Sequence, residues 1–213
     1  LVDKDPLEHL TYGGVPEENR NSSVQKWLSV SLKVQIPGGS GSATIIYYDQ
    51  ESGWAYVQSC GHLFSTNESR SADQLKIKPL KTKLITWYHN DKKLDSPKEY
   101  PAEVLYYSNP APNDVSLMRF KPDWVPNYLP IAPMDFVFKE NVKLHSCGCD
   151  GGKEVAHYDV RFIGFSGGDI ITTENSPRPG RSGGGLMNDQ YYVGICWGTS
   201  KKDGSGNGFF TPL

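Results

Sequence analysis

The stretch PGRSGGGL, Pro179–Leu186, sets one serine between an arginine and three consecutive glycines. A serine alcohol is a weak nucleophile unless a base takes its proton and donors stabilise the oxyanion formed on its target. Glycines serve the second need, because without a Cβ they permit strained turns and let a carbonyl approach main-chain N–H groups closely. Gly180 and Ser182 are placed to supply those donors. A flexible turn containing a serine is the competing reading of the octet taken alone.

A reacting serine needs a base, and the chain has five histidines, His9, His62, His89, His145 and His157, all N-terminal to Ser182. GRSGG also fits the G-x-S-x-G elbow of α/β-hydrolases, but there the histidine follows the serine and helices alternate with strands. Neither condition holds here. His62 has the best setting: it follows the run WAYVQS, and Cys60 and Gly61 leave room beside its ring. A half-buried strand-end histidine is the other reading. His89, among Asn90, Asp91, Lys92 and Lys93, reads as a solvated loop residue; His9 belongs to the polar N-terminus, and His145 and His157 to the second half. Asp114, in NPAPNDVSLMRF, opens an apolar strand, where a charge needs a partner. It is the carboxylate suited to hold a base's tautomer, or else a strand-entry Asp satisfied by backbone N–H groups.

In 213 residues the chain has 22 glycines, 15 prolines and 12 tyrosines with short apolar runs between them, the pattern of many brief strands joined by turns. Its 22 basic and 24 acidic residues leave a net charge of -2. No Lys/Arg run can track a phosphate backbone, so nucleic acid is not expected as a partner, and Lys78, Lys81 and Lys83 read as a solvated loop. No apolar stretch has the length of a membrane span. A start at Leu1 rather than Met is compatible with removal of a leader, which leaves the compartment open and favours secretion or the cell envelope if one was removed.

Residues 1–26 read as a polar arm. From Trp27, WLSVSLKVQI, ATIIYY and GWAYVQS form a three-strand meander, and QLKIKPL, KLITWYH, AEVLYY and VSLMRF complete a first set over 27–121. The proline-broken PDWVPNYLPIAP, 122–133, reads as a linker. VKLHSCG, HYDVRFIGF, DIITT, GGLMN, YYVGICWG and GNGFFTP form a second set over 134–213. The expected architecture is all-β, two packed six-stranded antiparallel barrels, with a single β-sandwich as the alternative. Of the four cysteines, Cys147 and Cys149 are too close to pair comfortably. His145, Cys147 and Cys149 share a strand face, which raises a structural zinc site with His157 or Asp150 as fourth ligand. Buried free thiols are the expected state.

Three segments in order resemble the chymotrypsin-like serine proteases. GSGSATII...WAYVQSCGHLF is similar to their glycine turn, strands and strand-end histidine; YPAEVLYYSNPAPNDVSLMRF to their strand, turn, Asp and apolar strand; GRSGGGLMNDQYYVGICWG to their nucleophile loop and the strand after it. The likeness runs from Val30 to Phe210 and is closest in style to bacterial Deg-type members. It implies His62 as general base and then acid, Asp114 as its orienter, Ser182 as nucleophile, and the N–H groups of Gly180 and Ser182 as oxyanion hole. Cys196, Trp197 and Gly198 would pair with the substrate backbone as an added strand. Ser176 would lie at the base of the primary specificity pocket, with Gly198 and Gly208 as walls. That uncharged, open pocket suits an apolar or aromatic side chain, although Arg178 is near enough in sequence to admit an acidic one. Cys60 and Cys196 both adjoin this site.

The implied activity is that of a serine endopeptidase acting on peptides or proteins with no cofactor and no catalytic metal. A catalytically inactive module of the same fold, binding peptides or a partner protein, is the alternative. Two departures stand out. Gly61 occupies a place where many relatives carry Ala, a change expected to be harmless. Arg181 replaces the acidic residue with which animal digestive members capture a new N-terminus, so that activation switch is expected to be absent.

Overall fold

The computed structural model describes residues 20–109 and 113–213. Residues 1–19 of the expected arm, with His9, and residues 110–112 before Asp114 lie outside them. The first element is helix α1 (Arg20–Ser29), where the sequence pattern suggested a strand beginning at Trp27. Val24, Trp27 and Leu28 recur at helical spacing and pack inward. The two-residue alternation starts only with Val30, Leu32 and Val34. Ser29 Oγ donates to Lys26 O and Ser31 Oγ to Trp27 O, each at 2.7 Å, so the helix's last carbonyls find partners that the helix itself cannot supply.

Strands β1 (Ser31–Ile36), β2 (Gly39–Asp49), β3 (Trp54–Ser59), β4 (Thr82–His89), β5 (Lys92–Ser108) and β6 (Val115–Phe120) close into a barrel ordered β1-β2-β3-β6-β5-β4. Strands β7 (Lys143–Gly148), β8 (Ala156–Ser166), β9 (Asp169–Thr173), β10 (Gly185–Met187), β11 (Tyr192–Thr199) and β12 (Gly208–Pro212) close into a second, ordered β10-β11-β12-β9-β8-β7. Both barrels therefore share one connectivity, although the halves share no sequence repeat. The all-β, two-barrel expectation holds. Closure removes the unpaired strand edges that an open sheet would expose.

QLKIKPL is not a strand. It begins in helix α2 (Ala72–Ile77), started by a capping box in which Ser71 Oγ accepts from Gln74 N–H and Gln74 Oε1 from Ser71 N–H. The apparent alternation of Leu75 and Ile77 misleads, because Leu75 is buried and Ile77 is 85% exposed. Lys83, expected in a solvated loop, lies in β4 and pairs with Glu99 at 2.8 Å. His89, also expected in a loop, ends β4 and stacks on Trp124 with ring centroids 4.1 Å apart.

Alternate residues of several strands fill the interiors, while β7, β10 and most of β11 are buried on both faces. Leu32, Val34, Val57, Met118 and Phe120 belong to the first core, and Leu144, Val160, Phe162, Ile170 and Phe210 to the second. The first core continues across the seam, because Cys147, Met187, Tyr192 and Ile195 of the second barrel pack into it. All four cysteines are free and buried, so Cys60 and Cys196 are not bonded to each other.

Candidate active site

Strand pairing decides the position of the first two residues. β3 and β6 are antiparallel with Ser59 opposite Ser116, so continuing each strand by two residues brings Gly61 opposite Asp114. Asp114 Oδ1 accepts from the N–H groups of Gly61 at 2.7 Å and His62 at 2.8 Å, while Oδ2 lies 2.6 Å from His62 Nδ1. The carboxylate is 6% exposed and these three donors satisfy its charge. Because a carboxylate only accepts, Nδ1 carries the proton and Nε2 presents its lone pair. A Cβ at Gly61 would stand 1.9 Å from Ser108 O, so the close approach of the end of β5 requires glycine there.

The segment Arg178–Gly184 makes two consecutive tight turns. Arg181 N–H donates to Arg178 O at 3.0 Å and Gly184 N–H to Arg181 O at 2.8 Å. Each turn has a glycine at its third position, Gly180 with φ +100 and Gly183 with φ +84, a conformation that side chains with a Cβ disfavour. Ser182 stands between them, half-buried. Gly183 backs directly onto β3, where a Cβ would lie 2.0 Å from Ser59 Oγ and 3.1 Å from Cys60 N. The Ser182 loop of the second barrel thus abuts the strand end that leads to His62.

Ser42 of β2 is the fastener, and sequence reading missed it. Its N–H donates to Ser182 O at 2.7 Å, its hydroxyl donates to Gly180 O and accepts from Cys149 N–H, both at 2.8 Å, and its carbonyl accepts from Ser59 Oγ at 2.6 Å. GSGS, residues 39–42, signalled only a turn. Arg181, beside Ser182, is 1% exposed. Its guanidinium forms a two-pronged pair with Asp150 at 2.8 and 2.6 Å, donates to Asn175 O at 2.8 Å and lies 3.6 Å from the Tyr158 ring centroid. An internal ion pair therefore anchors the loop at Arg181.

The sulfur of Cys60 lies 3.6 Å from His62 Nε2. Ser176 is buried, and its hydroxyl donates to Gly206 O. A Cβ on Gly198 would meet open space, whereas one on Gly208 would meet Thr172, Pro177 and Phe210 within 3.0 Å. Trp197 is partly exposed beside Phe209, and Cys196, 1% exposed, exchanges backbone hydrogen bonds with Gly183 and Gly184.

Among the described residues, two clusters bring three metal-ligand atoms within 4.8 Å of one another: Cys60 with His62 and Asp114, and His145 with His157 and Asp159. Burial, and then Asp114, pushes the Cys60 thiol well above its usual range, and His62 Nδ1 is committed to Asp114.

No family model and no curated protein matches this sequence. Solved structures do. The Rv3671c protease of M. tuberculosis, in its inactive form, is 16% identical with a TM-score of 0.64, over 95% of this chain and 93% of that one. The serine endoprotease from Yersinia pestis is 17% identical with a TM-score of 0.63, over 93% of this chain and 63% of that one. Human heparin binding protein is 12% identical with a TM-score of 0.64, over 89% and 88%. The two barrels, and the loop lodged in the seam between them, have the chymotrypsin-like fold of the serine proteases.

Proposed function

We propose that the protein is a serine endopeptidase. His62 Nε2 takes the proton of Ser182 Oγ as that oxygen attacks the scissile carbonyl carbon. The N–H groups of Gly180 and Ser182 donate to the resulting oxyanion, and each such donor contributes on the order of 3 kcal/mol to transition-state stabilisation. The C–N bond then breaks, Nε2–H protonates the leaving amine, and the acyl group stays on Ser182. Water, deprotonated by His62, attacks the acyl carbon and frees the serine. Asp114 keeps the imidazole in the productive tautomer and stabilises the imidazolium. The observation that carries this reading is the buried Asp114 carboxylate, which takes two backbone N–H groups and holds His62 Nδ1.

A second reading has its own support: the sulfur beside Nε2, and a structural neighbour named for binding heparin rather than for cleaving peptides. On that reading the fold is kept as an inactive module that binds peptides or a partner. Peptide-library cleavage by the native chain and by Ser182→Ala separates the two. The endopeptidase reading predicts turnover that Ser182→Ala abolishes, with peptide binding retained. Equal, negligible turnover by both proteins, with binding intact, supports the module instead.

A further inference from the structure

β7 and β8 pair antiparallel with His145 opposite Asp159 and Cys147 opposite His157. Residues two apart on a strand share a face, so His145, His157 and Asp159 project together, on the side opposite Leu144 and Val160 of the barrel core. Trp27 of α1 covers this face, with its ring centroid 3.7 Å from that of His145 and 5.1 Å from that of His157. Three donor atoms converge beneath it. His145 Nδ1 lies 3.0 Å from His157 Nε2 and 3.1 Å from Asp159 Oδ1, and His157 Nε2 lies 3.5 Å from the same oxygen. Lys143 Nζ holds the other carboxylate oxygen at 2.5 Å.

Each hydrogen-bonding arrangement of this triangle leaves a crowded or repulsive contact. If Nδ1 of His145 carries the proton, the lone pair of His157 Nε2 faces the carboxylate oxygen. If Nε2 of His157 carries it, the lone pair of His145 Nδ1 does so. If both carry protons, both N–H groups share Asp159 Oδ1, at 3.1 and 3.5 Å, with their hydrogens crowded between nitrogens 3.0 Å apart. A cation at the convergence point satisfies all three atoms together.

The observed separations of 3.0, 3.1 and 3.5 Å are close to those around one ion, two of them about 0.2–0.3 Å tighter. Zinc binds imidazole nitrogen at about 2.0–2.1 Å and carboxylate oxygen at about 2.0–2.2 Å, which sets tetrahedral donors about 3.3–3.5 Å apart. An ion about 2.1 Å from each atom sits about 1 Å out of their plane, with a fourth position left for water. The side chains of His145, His157 and Asp159 are 11%, 16% and 43% exposed, so the site lies at the surface rim where an ion can enter. Two imidazoles with one carboxylate suit zinc better than magnesium or calcium, which prefer oxygen.

We propose that His145, His157 and Asp159 form a zinc-binding site that fixes the β7–β8 ladder beneath helix α1. This is not the cysteine site suggested by HSCGC. Cys147 packs in the shared core and Cys149 against Leu28 and Val155, and only His145 of that segment reaches the triangle. Nothing in the peptidase proposal uses these residues, so either proposal can fail alone.

The test is zinc calorimetry and cobalt absorption on the full chain after chelator treatment. One equivalent of Zn²⁺ should bind and raise the unfolding temperature, and Co²⁺ should give tetrahedral visible bands without a thiolate charge-transfer band. His157→Gln and Asp159→Asn should each lose the saturable isotherm while keeping the native circular dichroism. Should His157→Gln fail to fold, Asp159→Asn decides, because that side chain is 43% exposed. No saturable binding by the native chain, a thiolate band, or unchanged affinity in Asp159→Asn would overturn the site.

Discussion

At the scale of single residues, Asp114 does two things that separate cleanly by substitution. It accepts two backbone N–H bonds through Oδ1 and orients His62 through Oδ2. Asp114→Asn keeps the shape but can present N–H to Nδ1, favouring the wrong tautomer. On the endopeptidase reading, kcat should fall about 10⁴-fold with KM little changed, measured by steady-state cleavage of a peptide found in the library screen. Ser42→Ala keeps the backbone bonds of residue 42 but leaves Gly180 O and Cys149 N–H without the hydroxyl. The expected loss is about 1–3 kcal/mol in urea unfolding, together with slower turnover as the Ser182 loop loosens. The cysteines give a third residue-scale test. Burial pushes Cys147, Cys149 and Cys196 up to about 12, so these thiols stay protonated far above neutral pH and only their small thiolate fraction can react. Iodoacetamide at pH 8 should leave the folded protein unlabelled, and all four cysteines should react in denaturant, as read by intact mass. Rapid labelling of the native chain at Cys147 would contradict this packing.

At the scale of elements, the Ser182 loop is held from both barrels: by Ser42 of β2 from one side, and by the Arg181–Asp150 pair from the short turn after β7 on the other. Asp150→Asn would leave the Arg181 guanidinium buried with one charge partner gone. Breaking a buried pair this way costs about 3–5 kcal/mol, so chemical denaturation should show a loss of that order. The double variant Arg181→Met with Asp150→Asn, which removes the charge as well, should recover part of it. A loss confined to the surface-pair range, under about 1 kcal/mol, would mean that water reaches the guanidinium. These two fastenings were not legible in the sequence. Most of the strands could be read from two-residue alternation and from short apolar runs between turns, and His62 and Asp114 could be singled out because strand-end polar residues next to apolar runs need a reason. Ser42 and Asp150 act only across elements distant in the chain, and neither interrupts a local pattern. Helices α1 and α2 were missed for a different reason. Leu75 and Ile77 imitate strand alternation, while the capping box at Ser71 and the Val24, Trp27, Leu28 spacing were signals present but passed over.

At the scale of the molecule, two barrels of one connectivity meet along a common apolar seam, with Cys147, Met187, Tyr192 and Ile195 entering the first core. The site proposed there would draw on both halves, which is why no single motif could establish it. Order along the chain carried more information: a histidine and an aspartate from the first barrel, then a glycine-flanked serine from the second. No helix among the described residues is long and apolar enough to cross a membrane. The fold also admits proteins named for binding, so the chemistry must be tested at the serine itself. The most direct measurement is labelling with a fluorophosphonate probe followed by peptide mapping, on the native chain and on His62→Ala. The account predicts one covalent adduct, on Ser182, whose rate falls by orders of magnitude when His62 is removed. No adduct on a folded native chain, or an adduct at Ser182 that forms equally fast without His62, would contradict it.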